Sequence, residues 1–84
     1  MRFAYFYFMK RDPQRVREVA PRHAEYWRGL ALPHYLGGPF GDMSGGLITF
    51  DGESFVEAGQ FIANDPFRAA HLLERHWLKE WKAD

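Results

Sequence analysis

His23, in the stretch PRHAEYWRGL, is the residue whose type and spacing most invite a chemical reading. At about 100° of turn per helical residue, His23, Trp27 and Leu30 share one face, while Glu25 and Arg28 point the other way. A titratable ring on an apolar stripe is either a core histidine satisfied by a carbonyl or a ring placed for proton transfer. Partial burial lowers the basicity of an imidazole and a neighbouring carboxylate restores it. The combination tunes such a ring for general acid–base work near neutral pH.

Asp65, in NDPF, is the candidate carboxylate. Asp before Pro is also the ordinary opening of a short helix, with Asp as N-cap. The two roles can coexist, because a carboxylate has two oxygens and about four acceptor sites. Candidate ligand contacts are Tyr5 and Tyr7 on an aromatic strand, Arg22 on the helix, and Phe40 and Ser44 in a glycine-rich stretch. Each also has a plain structural role: packing for the aromatics, a solvated charge for Arg22. Ser44 has no base near it in sequence, so it suits ligand contact better than nucleophilic attack.

Other chemistries find little support. The histidines at 23, 34, 71 and 76 lack the paired spacing of a zinc helix, and no metal site is expected. There is no GxSxG, no phosphate loop ending in Lys-Ser/Thr and no dinucleotide fingerprint, so no cofactor is expected either. GGPFGDMSGG is glycine-rich but opens no helix. The absence of cysteine removes disulfides, thiolate metal sites and a cysteine nucleophile. Charges balance at 11 and 11, and no basic stripe calls for nucleic acid. The seven apolar residues after Arg2 are too few for a signal peptide or for the roughly 20 residues of a membrane span. No membrane partner is expected, and the reading is of a cytoplasmic protein.

These candidates need elements to hold them. Phe3 to Met9 reads as a strand apolar on both faces, with Phe3, Tyr5, Tyr7 and Met9 on one and Ala4, Phe6 and Phe8 on the other. Such a strand is covered on both sides. Asp12-Pro13 opens a helix, and Pro21 is expected to break it. The prediction is a short helical turn over 13–19 and a main helix over 21–32 striped by Ala20, His23, Trp27, Leu30 and Ala31. A short strand over 34–36 and a stronger one over 47–50 follow. Between them, five glycines and one proline over 37–46 imply a mobile loop or close backbone approach to a ligand. Ser54 and Glu57 form a capping box for a helix over 55–63, whose stripe is Phe55, Ala58, Gly59 and Ile62. Asn64-Asp65-Pro66 ends it. The tail fits helix and strand periodicity alike; it is read as a helical start at Pro66 that becomes a strand near His76.

The order is strand, helix, strand, strand, helix, strand. It describes a single α+β domain over 1–84 of ferredoxin-like βαββαβ type, with an antiparallel sheet and helices on one face. In a chain of 84 residues, eight Phe, four Tyr and three Trp exceed what one thin helix layer hides. A homodimer with two sheets face to face would bury the surplus.

The pieces together resemble the YciI-like (YCII-related) family over nearly the full chain. The likeness rests on RFAYFYFMK, PRHAEYWRGL with its histidine, LGGPF, GGLITFDG and NDPFRAAHL, in that order. It implies ferredoxin-like subunits paired as a dimeric α+β barrel, and a strand rather than a helix over 76–81. It also implies a histidine–aspartate pair in a pocket between sheet and helices, carried over onto His23 and Asp65. Activities implied by the wider group are dehydrochlorination of a hydroxylated chloroaromatic, muconolactone isomerisation and small monooxygenase chemistry. One departure is the brevity of the chain, with its compact loop over 40–46.

The expected function is that of a small cofactor-independent enzyme. His23, oriented by Asp65, would perform general acid–base chemistry (isomerisation, elimination or hydrolytic dehalogenation) on a small ring compound. The alternative is a non-catalytic dimeric module that binds a small molecule or regulates a partner, using the same pocket with His23 as a hydrogen-bond donor. A cofactor-free oxygenase is a third reading.

Overall fold

A computed structural model of the chain describes residues 1–83. The aromatic strand β1, Arg2–Met9, lies at the centre of a four-stranded sheet. It pairs antiparallel with β3, Gly45–Asp51, on one side and β4, Leu73–Glu80, on the other. β2, Leu36–Pro39, forms the far edge against β3, so the strand order is β2-β3-β1-β4. Helix α1, Pro13–Gly29, connects β1 to β2; α2, Phe55–Ala63, and the single-turn α3, Pro66–Ala69, connect β3 to β4. This is a ferredoxin-like α+β fold.

Alternation along β1 decides which side is the core. Phe3, Tyr5 and Tyr7 are buried, and opposite them in register stand Phe50, Ile48 and Gly46. Val19 and Trp27 of α1, Ala58 and Ile62 of α2, and Phe67 of α3 close over them. Each large side chain so buried contributes roughly 1.5–3 kcal/mol. α2 and α3 are each capped at the N-terminus from the sequence: Ser54 Oγ accepts from Glu57 N–H and Asp65 Oδ1 from Phe67 N–H. Within α2, Ala58 and Ile62 face the core as the stripe predicts, but Phe55 stays about half exposed.

Pro21 does not break the helix; α1 runs unbroken through it. The proline lies on the solvent side, where the lost bond to the carbonyl four residues back leaves no orphan buried from water. Val19 and Trp27, buried on either side of it, hold both halves against the sheet. The helix also stops earlier than 32. Ala31 takes a left-handed φ of 50° and its N–H returns to Arg28 O, a C-terminal cap made without the usual glycine.

The glycine-rich run is largely sheet, not loop. β2 consists of Leu36, Gly37, Gly38 and Pro39 rather than residues 34–36, and Gly45 and Gly46 begin β3. Only Phe40 to Ser44 is left to turn, held by Phe40 N–H to Gly45 O, Met43 N–H to Phe40 O and Ser44 N–H to Asp42 Oδ1. β4 begins at Leu73, before His76, as soon as His71 turns the chain at a φ of 57°.

Among the described residues, no helix covers the second sheet face. Ala4, Phe6 and Phe8 lie on it with Leu47 and Trp77, Phe6 stacking on Trp77 at 5.3 Å between ring centroids. Leu36, Leu47, Trp77 and Trp81 are all exposed there or at its edge. Among the described residues no helix is long and apolar enough to cross a membrane.

Candidate functional site

α1 and α3 converge above β1, and His23 and Asp65 meet there. His23 Nδ1 lies 2.8 Å from Asp65 Oδ1. The register explains the meeting: α1 begins on a capped proline, and three turns later His23 faces the sheet beside Tyr7. α3 begins at Pro66, which leaves Asp65 as its N-cap, pointing inward.

Asp65 is fully buried and accepts four hydrogen bonds. Oδ1 takes His23 Nδ1–H and the Phe67 backbone N–H; Oδ2 takes the Tyr5 hydroxyl and the Trp27 indole N–H, each at 3.1 Å. The capping role and the histidine contact therefore coexist on one carboxylate. Because Asp65 accepts at Nδ1, that nitrogen carries a hydrogen. In the neutral ring, Nε2 is then the acceptor, and Tyr7 Oη lies 3.1 Å from it. Phe67 stacks on the imidazole at 4.2 Å, fixing its plane.

Burial, and next the Asp65 charge, push the Tyr5 and Tyr7 hydroxyls well above the ordinary tyrosine range. Both stay neutral phenols and can donate throughout the neutral range. His76, across β1 from Tyr7, is held below its usual value first by burial and then by Arg68.

His23 and Tyr7 form part of the wall of a cavity of about 330 Å³ between the first half of the sheet and α1. Ala20 and Ala24 leave room on the helix side, Ile48 and Phe67 make apolar surface, and Arg28, Tyr35 and Met43 stand around it. The volume is at the lower end for small-molecule sites. Gly46, opposite Tyr7 in register, leaves room for its hydroxyl: a Cβ there would lie 2.5 Å from Tyr7 Oη and 2.8 Å from Gly38 O.

The other candidate residues divide. Tyr7 lines the cavity; Tyr5 lies beneath it, on Asp65. Arg22 is exposed and outside the cavity wall. Phe40 packs on Phe8, its ring 5.6 Å away, on the other side of the sheet. Ser44 lines a neighbouring groove, not the cavity of His23. Arg28 is exposed, as its place off the His23 stripe implies, yet with Ala20 and Ala24 it forms a row at spacings of four that also borders the cavity. Trp27 reads as a hydrophobe in the sequence, yet its N–H is one of the donors that fix Asp65. Among the described residues, no three metal-ligating side chains converge.

No protein-family model matches the sequence, and no curated protein matches it. Among solved structures, the chain is similar to the 5-chloro-2-hydroxyhydroquinone dehydrochlorinase of Burkholderia phenoliruptrix AC1100, solved in complex with 2,5-dihydroxybenzoquinone. The TM-score is 0.88 at 26% identity, over 100% of this chain and 96% of that one.

Proposed function

We propose that this protein is a YciI-like enzyme in which His23, held by Asp65, moves protons on a small hydroxylated ring compound, and that elimination of a halide is among its reactions. The observation that carries the reading is the hydrogen bond from His23 Nδ1 to Asp65, which leaves Nε2 at the wall of a ring-sized, mostly apolar cavity. The similarity to a dehydrochlorinase solved with a dihydroxybenzoquinone supports the choice of ring and of leaving group.

A ring hydroxyl gives its proton to His23 Nε2, directly or through the Tyr7 hydroxyl. Asp65 stabilises the imidazolium so formed through the Nδ1–H bond, without itself taking the proton. Returned to the ring carbon that bears chlorine, that proton makes the keto tautomer. Loss of a second proton and departure of chloride with its bonding pair then leave a quinone. The halide carries off the electron pair, so the elimination balances without an external oxidant. Ala20, Ala24, Ile48 and Phe67 exclude water around these groups, which strengthens each electrostatic contact.

The bare sheet face fits a second copy of the chain. Two such faces packed together would cover Phe6, Leu47 and Trp77 and give the dimeric α+β barrel that the sequence resemblance implies.

A crystal structure with 2,5-dihydroxybenzoquinone tests the site. The expected result is a ring in the cavity with an oxygen within hydrogen-bonding distance of His23 Nε2 or Tyr7 Oη. A ring bound elsewhere, with the cavity vacant, would rule the reading out. The full set of donors on Asp65 favours one competing view, a purely structural clasp joining α1, α3 and β1. In that case Asp65→Asn lowers stability but leaves the turnover of each folded molecule unchanged.

A further inference from the structure

Arg28 is the one formal cation on the cavity wall apart from what His23 can carry, and among the described residues no carboxylate lies within 4.0 Å of it. It stands five residues beyond His23 on α1, a rise of about 7.5 Å along the helix axis. An exposed guanidinium with no carboxylate partner, on the wall of the same mostly apolar cavity as a proton-transfer group, suits a ring that carries its own negative charge. Tyr35 is close enough to Arg28 to feel its charge, and supplies a neutral hydroxyl beside it.

The approach to the cavity has the same sign. A groove of about 1070 Å³ adjoins it and shares Met9, Val16 and Met43 with it. The groove is rimmed by Lys10, Arg11, Arg17 and Arg75 against only Asp12 and Glu74. Asp12 is engaged at the start of α1, accepting from Arg15 N–H. In a chain whose charges balance overall, this is a local concentration of cations beside the cavity.

We infer that Arg28 is the specificity-determining counter-ion of the site, which selects anionic rings (ionised hydroxyquinones or ring carboxylates) over neutral phenols. This rests on the ring-site reading above and adds the charge of the substrate to it. One charged oxygen on the ring pairs with the guanidinium while a hydroxyl at the far side meets His23 and Tyr7. The cations of the groove raise the rate at which such an anion arrives.

Calorimetric titration with two probes built on the same six-membered ring tests the inference. 2,5-Dihydroxybenzoquinone has vinylogous-acid hydroxyls that ionise in neutral water, whereas hydroquinone stays neutral. Wild type is expected to bind the anion at least about tenfold more tightly, a preference that weakens with added salt. Arg28→Met should abolish the preference with hydroquinone binding unchanged, and Arg28→Lys should restore most of it. If Arg28→Met binds the anion as wild type does, or weakens both probes equally, the inference is overturned while the ring site itself stands. If neither ring binds wild type, both this inference and the ring-site reading fall.

Discussion

At the scale of single residues, the site is a set of four donors converging on Asp65. Removing that carboxylate leaves four donors without their acceptor in a buried place. Asp65→Ala is therefore expected to cost about 3–5 kcal/mol, read as a lower urea midpoint. A loss under about 1 kcal/mol would contradict the burial and the bonding together. The tyrosines make a second prediction. Burial raises all four hydroxyls above the ordinary value. The unfolded chain then releases phenolic protons from about pH 10, whereas the folded chain keeps them. Their contribution to stability is complete below that pH and is lost as pH rises toward the folded values. Phenolate absorbance should appear together with unfolding, and a clean titration at the ordinary value in folded protein would refute it. His23 was legible in the sequence because a polar ring on an apolar stripe is an anomaly. Arg28 was not, since counting from the His23 stripe assigns it to solvent alone; it is exposed, but it also borders the cavity, which lies over the adjacent row where two alanines make the space.

At the scale of elements, caps and strand alternation carried most of the information. Asp12, Ser54 and Asp65 each accept from the first turn they precede, and the odd and even residues of β1 divide between two faces. What stayed hidden had weak local signals. β2 is leucine, two glycines and a proline, held in the sheet by its partner β3 and not by its own side chains. The end of α1 is set by a left-handed alanine where glycine is usual. Ala31→Gly should then stabilise the fold by about 0.5–1 kcal/mol in thermal or urea unfolding, and destabilisation would count against the cap geometry. Pro21→Ala should also stabilise, by up to about 3 kcal/mol, because it restores a helical bond at an exposed position. A lower stability in that variant would mean the proline shapes α1 in a way its exposure conceals.

At the scale of the whole molecule, one face of the sheet is finished and the other is not. The finished face holds the core, Asp65 and the cavity; the bare one is aromatic, and in the proposed dimer a second copy of the chain covers it. Light scattering should give twice the chain mass of 9.9 kDa. Trp77→Glu, which places a charge in the middle of that face against Phe6, should give the monomer. A wild-type monomer at micromolar concentration would remove the dimer from the account. The central claim is the work of the imidazole, and chloride release from 5-chloro-2-hydroxyhydroquinone measures it most directly, compared between wild type and His23→Ala of matched folded concentration. Steady turnover by wild type with a loss of about 10²–10⁴-fold in kcat for the variant is the predicted result. Equal turnover by the two proteins, or none by wild type on this or related halogenated ring compounds, would contradict it.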